Sequence, residues 1–306
     1  MKANITFYSL FYLDETVQDS LINLNAKQSK KYSIYIQNAI SLSKSLKQFN
    51  FSYNLIVNDK KSISSLLEEI DCLGDLVLHE IDFSLKVPEG INFYSAHFKL
   101  DVIKFLSELD GYNILLDLDM IAINPPSGEL LSYANNNIPL YYDITDQTIP
   151  AYGYRVILSD MKVLSDDIQE CRWAGGEFLA GDAKFFGLLH KEVMGLYDRY
   201  TQTYKTLFHQ GDEMLVSVAL QLMRAKYQMH IADAGPSGMV FRYWGTQPKH
   251  PQKSLDYMNH IFLLHLPSDK TLLTGDLQSR SSIKKYLYKK LLLRNFISKI
   301  YHLFKK

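Results

Sequence analysis

The chain has 306 residues, 47% of them hydrophobic and 22% charged, a composition that supports a substantial core and excludes a disordered polymer. Its two cysteines, Cys72 and Cys171, form no CxxC pair, which argues against a disulfide framework or a cysteine-based zinc site and fits a reducing compartment. The net charge of zero hides an asymmetry: nine basic residues and no acid follow Asp276, so residues 1–276 hold 24 basic and 33 acidic residues, a net of −9.

Ile5–Leu10 reads as a first core strand. It lies in an apolar run, rich in Thr, Ser and aromatics, between Lys2 and the acids Asp14 and Glu15, with no small-residue cleavage site behind it. Leu55–Val57 is a second strand, and Ile36, Ala39, Ile40, Leu46 and Phe49 share one helical face between the two. Leu76–Ile81 follows as a strand. Phe98, Val102, Phe105, Leu106 and Leu109 then form a stripe that predicts a helix over 95–109, stopped near Asp110-Gly111. A short apolar run that begins at Tyr112 and ends in two aspartates comes next and reads as a buried strand. This alternation predicts an α/β domain with a largely parallel sheet, whose ligands bind beyond the carboxyl ends of the strands.

The second half is less regular. Asn124-Pro125-Pro126-Ser127-Gly128 is a turn cluster, and residues 141–172, polar and rich in Tyr and Asp, read as a long loop or mobile lid. Phe185, Leu189, Val193, Leu196 and Tyr200 mark one helix. Leu215, Val218, Ala219 and Leu222 mark another, opening at Asp212-Glu213, where acids suit a helix N-terminus. Gly235-Pro236-Ser237-Gly238 is a turn, and Ile261–His265 is the last strand. No stretch reaches about eighteen uninterrupted apolar residues, so no membrane-spanning helix is expected.

Asp117-Leu118-Asp119 stands at the end of that apolar run, between Ile114-Leu115-Leu116 and Met120-Ile121. Unpaired carboxylates are expensive to desolvate there. A divalent cation, which takes carboxylate oxygens and shares them with substrate phosphates, resolves that cost. The plain alternative is a pair of turn carboxylates capping the next element.

The surroundings of this motif resemble glycosyltransferases of the GT-A fold, especially the retaining families 8 and 6. Ala96-His97-Phe98-Lys99-Leu100 is similar to the family 8 Tyr-Ala-Arg-Leu segment, one helix before the Asp-x-Asp. Ala174-Gly175-Gly176-Glu177-Phe178 resembles the segment that lines the sugar pocket. His209-Gln210-Gly211-Asp212-Glu213 resembles the family 6 His-Asp-Glu and family 8 Asp-Gln-Asp runs. His265-Leu266-Pro267-Ser268-Asp269-Lys270 resembles the family 8 pattern His-x-x-Gly-x-Lys. The matches cover roughly residues 94–270. Lys stands at 99 where family 8 has Arg, Ser stands at 268 in place of Gly, and no Pro-Trp follows Lys270.

The resemblance implies a GT-A fold, a Rossmann-like α/β architecture with a mostly parallel sheet flanked by helices. It implies a donor-binding half over 1–124 and an acceptor-binding half over 125–276, and the charge asymmetry sets residues 277–306 apart as a basic tail. The resemblance also implies Mn²⁺ or Mg²⁺ on Asp117, Asp119 and His265, with Asp117, Lys99 and Lys270 contacting the donor. Tyr8 and Ser9, at the end of the first strand, would meet the nucleotide base. Glu213 with Asp212 would be catalytic, as nucleophile or as stabiliser of an oxocarbenium-like transition state. If the configuration inverts, the same acid or Asp182 would be the general base. His265 also reads as an ordinary core histidine, and Asp212 and Glu213 as ordinary first-turn acids. Trp173, His209 and Trp244 are candidates for sugar stacking or acceptor contacts.

Residues 283–306 alternate Lys and Arg with apolar residues, and Ile283, Leu287, Ile297, Ile300, Tyr301 and Phe304 share one side. That is the profile of an amphipathic interfacial helix, in which each cation near an anionic lipid surface contributes about 1 kcal/mol. A solvated or domain-packing helix is the alternative. Nucleic acid is disfavoured by the acidic body and the lack of a recognition motif. The expected partners are a nucleotide-sugar, UDP-sugar foremost, and a glycan or lipid-linked oligosaccharide acceptor of lipopolysaccharide, O-antigen or capsule synthesis. The expected place is the cytoplasmic side, peripheral to the inner face of the plasma membrane. Two rivals are an Asp-x-Asp phosphatase, which usually carries Thr or Val where Ile121 stands, and a non-enzymatic, membrane-tethered sugar-binding protein.

Overall fold

A computed structural model describes residues 4–13, 28–70, 72, 74–244, 253–274 and 280–304. Lys2, Asp14, Glu15, Asp276, Lys305 and Lys306 lie outside the described residues, as do the side chains of residues 294–304, including the expected tail face at Ile297, Ile300, Tyr301 and Phe304.

The first half runs β1 (Ile5–Phe11), α1 (Gln28–Lys47), β2 (Ser52–Val57), α2 (Lys60–Glu69), β3 (Val77–Glu80), α3 (Lys99–Leu106) and β4 (Tyr112–Leu116). The second runs β5 (Met120–Ala122), α4 (Gly128–Asn135), β6 (Leu140–Asp143), α5 (Thr145–Tyr152), α6 (Tyr154–Leu164), β7 (Ala174–Gly181), α7 (Ala183–Thr203), α8 (Asp212–Tyr227), β8 (Ala232–Asp233), β9 (Val240–Arg242), β10 (Leu263–His265) and α9 (Arg280–Phe304).

The main sheet has the order β3-β2-β1-β4-β7-β6-β8. The first four strands are mutually parallel, β7 runs antiparallel to both its neighbours, and β8 is parallel to β6. Every residue of β4 is buried, as suits a central strand covered on both faces. A smaller sheet, β5-β10-β9, begins directly after the Asp-x-Asp turn. Ser45 of α1 accepts the Ala122 N–H at 3.0 Å and so ties the first crossover helix to β5.

The stripe expected over 95–109 divides into a 3₁₀ turn, Tyr94–Phe98, and α3. The loop expected over 141–172 is largely helical. Asp143 Oδ1 accepts the Thr145 N–H at 2.9 Å at the head of α5, and Ile157, Met161 and Leu164 bury one side of α6. The polar residues buried by α5, Gln147 and Thr148, and the exposed polar positions of α6 mask this in the sequence. Gly153, at φ 92°, separates them in a backbone conformation that glycine adopts readily.

A second apolar cluster forms beneath the small sheet, and the first turns of α9 complete it through Ile283 and Leu287. The face expected to meet a membrane is therefore divided at this end of the helix. Ile283 and Leu287 pack on the body, whereas Tyr288, Leu292 and Leu293 are exposed beside exposed Lys285 and Lys289. No described helix is long and apolar enough to cross a membrane.

Candidate active site

β4 delivers Asp117-Leu118-Asp119 to the carboxyl edge of the parallel strands, and the chain then enters the small sheet. β10 pairs antiparallel with β5, placing His265 opposite Met120, and the Leu266 N–H donates to the Asp119 carbonyl at 2.9 Å. β9 lies parallel to β10 with Arg242 opposite His265. Strand pairing thus brings residues nearly 150 positions apart onto the Asp-x-Asp turn. His265 Nε2 is 3.1 Å from Asp119 Oδ1 and 3.9 Å from Asp117 Oδ2. Asp117, Asp119 and His265 each offer one ligand atom, all within 4.8 Å of one another. Two carboxylate oxygens and one imidazole nitrogen form a donor set that suits Mn²⁺ and, through its oxygens, Mg²⁺.

Both expected lysines face this group. Lys99, at the head of α3, lies 2.6 Å from Asp117 Oδ1 and 3.0 Å from Asp212 Oδ2, and donates to the Gly176 carbonyl at 2.9 Å. Lys270 pairs with Asp119 Oδ2. Burial disfavours both ammonium groups, yet Asp117 with Asp212, and Asp119 respectively, hold them charged well above their ordinary range. Burial likewise works against the Asp119 carboxylate, but Lys270 and His265 overcome it and keep it well below its usual value. Burial raises Asp117, Lys99 counters that, and the neighbouring Asp119 adds to it. A buried imidazole should lose its charge, but the Asp119 and Glu177 carboxylates outweigh burial and raise His265 to about 9.

Glu213 lies across the same pocket on the first turn of α8. Its Oε1 accepts from Arg242 Nη2 at 2.7 Å and from the Gly176 N–H at 3.1 Å, and its Oε2 accepts from Trp173 Nε1 at 2.8 Å. Burial alone would raise Glu213; Arg242 and His209 reverse this and hold it ionised, below the ordinary carboxylate range. His209 itself is pushed down by burial, against the pull of Glu213 and Asp212. Asp212 has a different place: it is 5% exposed and serves as a partner of Lys99.

β7 passes between these groups, and its glycines are what let it do so. A Cβ on Gly176 would sit 2.8 Å from Asp212 Oδ2 and 3.2 Å from Lys99 Nζ, and one on Gly175 would collide with the Glu177 carboxylate. The segment that resembles a sugar-pocket lining is thus a fully buried strand, built to let charged side chains approach its backbone.

A cavity of about 350 Å³ connects these groups, within the range of small-ligand sites. Its walls include Lys99, Asp117, Asp119, Asp212, Glu213, Arg242, His265 and Lys270 together with Trp173, His209 and Trp244. Trp173 is 2% exposed and His209 stacks on Phe93, with ring centroids 5.3 Å apart, so both are walls of the pocket more than open platforms.

Three expectations shift. Tyr8 and Ser9 are buried in the body of β1 and do not line the cavity; Leu10, Phe11 and Tyr12 do. The strand runs to Phe11, one residue past the expected Leu10, so its open end lies two residues beyond Ser9 and three beyond Tyr8. Asp182 caps α7, accepting the Phe185 N–H at 2.9 Å. Because β7 is antiparallel to β4, with Gly181 opposite Asn113, Asp182 sits at the far end of the sheet from Asp117 and cannot be a base there. His97, inside the Lys99 segment, bridges Tyr200 OH at 2.7 Å and the Phe93 carbonyl at 3.0 Å and is structural.

Two residues without an assigned role in the sequence belong to the site. Glu177 and Arg242 form a buried forked ion pair that touches His265 on one side and Glu213 on the other. The one trace in the sequence is an acid at 177 within the Ala174–Phe178 segment; Arg242 lies in none of the motifs.

No protein-family model and no curated protein matches the chain. Among solved structures it is similar to the apo form of the bifunctional glycosyltransferase WbbM, with a TM-score of 0.54 and 10% identity over 95% of this chain and 52% of that one. It is also similar to apo mouse xyloside xylosyltransferase 1, with a TM-score of 0.50 and 11% identity over 85% of this chain and 97% of that one. The chain spans about half of the WbbM chain. At such identities the likeness is one of fold, and that fold is the GT-A arrangement implied by the sequence motifs.

Proposed function

We propose that the chain is a metal-dependent glycosyltransferase that moves a sugar from a nucleotide-sugar, a UDP-sugar foremost, to a glycan acceptor with retention of configuration. One observation carries this reading: Asp117, Asp119 and His265 converge on a GT-A pocket that ionised Glu213 also lines. Asp117, Asp119 and His265 would hold Mn²⁺ or Mg²⁺, whose chemistry there is Lewis-acid neutralisation of a leaving diphosphate.

The chain's own residues do the rest. Lys99 and Lys270 carry fixed positive charge at the carboxylate cluster, where the diphosphate builds up negative charge as the glycosidic bond breaks. Both Glu213 oxygens accept N–H donors and one pairs with Arg242, which makes this carboxylate a poor proton acceptor. That chemistry disfavours an inverting general base and suits a group that remains anionic beside a sugar developing oxocarbenium character. Trp173, Phe93 and His209 surround it with rings and limit access of water.

The test is a panel of nucleotide-sugars with Mn²⁺ or with a chelator, read by slow hydrolysis of the donor. Hydrolysis of at least one donor only when Mn²⁺ is present is the expected result.

The acceptor we favour is a lipid-linked oligosaccharide of bacterial surface polysaccharide synthesis, met at the cytoplasmic face of the membrane. Support comes from the nine basic residues after Asp276, with no acid among them, and from Tyr288, Leu292 and Leu293, exposed beside Lys285 and Lys289. Truncation after Lys284 would keep Ile283 but remove the packed Leu287, so a five-site exchange is the cleaner variant: Lys285→Ser, Lys289→Ser, Tyr288→Ser, Leu292→Ser and Leu293→Ser. It should lose most binding to vesicles containing anionic lipid while retaining donor hydrolysis. Vesicle binding equal to that of the unaltered chain would remove the membrane claim.

A further inference from the structure

Glu177 and Arg242 touch both ends of the pocket and are buried, Glu177 completely. A buried ion pair is seldom more stable than a well-packed apolar pair of the same volume, so stability alone is a weak reason for this one. Its connections supply another. The Arg242 fork donates through Nε to Glu177 Oε1 at 2.6 Å and through Nη2 to Oε2, and the same Nη2 reaches Glu213 Oε1 at 2.7 Å. Glu177 Oε1 is also 3.2 Å from His265 Nδ1. A ring that donates Nδ1–H to a carboxylate presents its Nε2 to the Asp117–Asp119 side, and such partners orient metal-binding histidines and raise their basicity. β7 makes room for the pair by carrying glycine at 175, where a Cβ would strike the Glu177 carboxylate and lie 3.1 Å from Arg242 Nη2.

We propose that Glu177 and Arg242 are a positioning pair, in which Arg242 fixes the orientation of Glu213 while Glu177 fixes the ring of His265, so that both walls of the pocket are set by one buried ion pair. Only the Glu213 half rests on the glycosyltransfer reading. The assignment depends on the planar guanidinium, since a lysine in its place keeps the charge but cannot span Glu177 and Glu213 in a fixed fork.

The test uses the full chain, with Mn²⁺ binding followed by the electron paramagnetic resonance signal of free Mn²⁺ and with donor hydrolysis as a second readout. Arg242→Lys is expected to lower kcat at least tenfold while the donor KM and the Mn²⁺ Kd stay within about twofold. Glu177→Gln is expected to weaken Mn²⁺ binding about 10-fold or more, with activity or without it. Where Glu177→Gln does not fold, Glu177→Asp, which keeps the charge and shortens the reach, should show the same weakening. A merely structural pair would lower the melting temperature but leave kcat and Kd at the wild-type values in the folded fraction. That result, or a folded Glu177 variant with wild-type Mn²⁺ affinity, overturns the proposal. A wild-type chain that binds Mn²⁺ but hydrolyses no donor would sink the transfer reading instead, and the Glu177 measurement then decides the pair by itself.

Discussion

Asp119→Ala should reduce Mn²⁺-dependent donor hydrolysis by roughly a thousandfold or more, because it removes a ligand oxygen and the anchor of two neighbouring groups at once. Asp119 Oδ1 faces His265 Nε2 at 3.1 Å, and its Oδ2 holds Lys270. Without it the buried Lys270 ammonium keeps little compensation, since Asp117 lies against Lys99. Breaking a buried pair by removing one partner typically costs about 3–5 kcal/mol, so a lower melting temperature should accompany the loss of activity. The structure therefore changes the simplest expectation for this variant, which is inactivity with an unaltered fold. Asp119→Asn, which keeps the shape and one acceptor oxygen, separates the two effects: its melting temperature should lie closer to wild type while Mn²⁺-dependent hydrolysis stays low. Retention of full activity by either variant would remove Asp119 from the site.

Glu213→Gln should lower kcat by about 10²–10³-fold, some 3–4 kcal/mol of transition-state stabilisation, with the donor KM changed far less. The carboxylate is held ionised by Arg242, Trp173 and Gly176, and the amide keeps its shape but not its charge. Asp212 provides the contrast, although it is adjacent in sequence. Asp212→Asn should act through Lys99, whose ammonium it neutralises jointly with Asp117, and so should raise the donor KM more than it lowers kcat. Steady-state hydrolysis distinguishes the pair. Equal loss of kcat in both variants would make Asp212 and Glu213 one functional unit.

The parts of the candidate site carried by contiguous motifs are legible in the sequence. β4 advertised itself by a continuous apolar run closed by two acids, and His265 and Lys270 lie together at the end of another such run. Glu177 and Arg242 were not readable, because their meeting depends on two facts of pairing: β7 is antiparallel to β4, and Arg242 is in register with His265. β7 itself was hidden by composition, since Ala-Gly-Gly-Glu-Phe-Leu-Ala-Gly has neither alternation nor β-branched residues and relies on its neighbours to be a strand. The helices α5 and α6 were hidden for other reasons: α5 buries the polar Gln147 and Thr148, and in α6 the exposed polar positions outweigh the sparse buried Ile157, Met161 and Leu164. At the C-terminus the charge asymmetry was legible, but not that Ile283 and Leu287 serve the small-sheet core.

The central claim is that the Asp117–Asp119–His265 group works on a nucleotide-sugar through a divalent cation. Donor hydrolysis across a nucleotide-sugar panel, measured with Mn²⁺ and again with excess chelator, tests it most directly. We expect turnover of at least one donor, UDP-sugars first, that disappears with chelator and returns when Mn²⁺ is restored. Undiminished hydrolysis in the chelator would contradict the metal site, and no hydrolysis of any donor with Mn²⁺ would contradict the transfer reading.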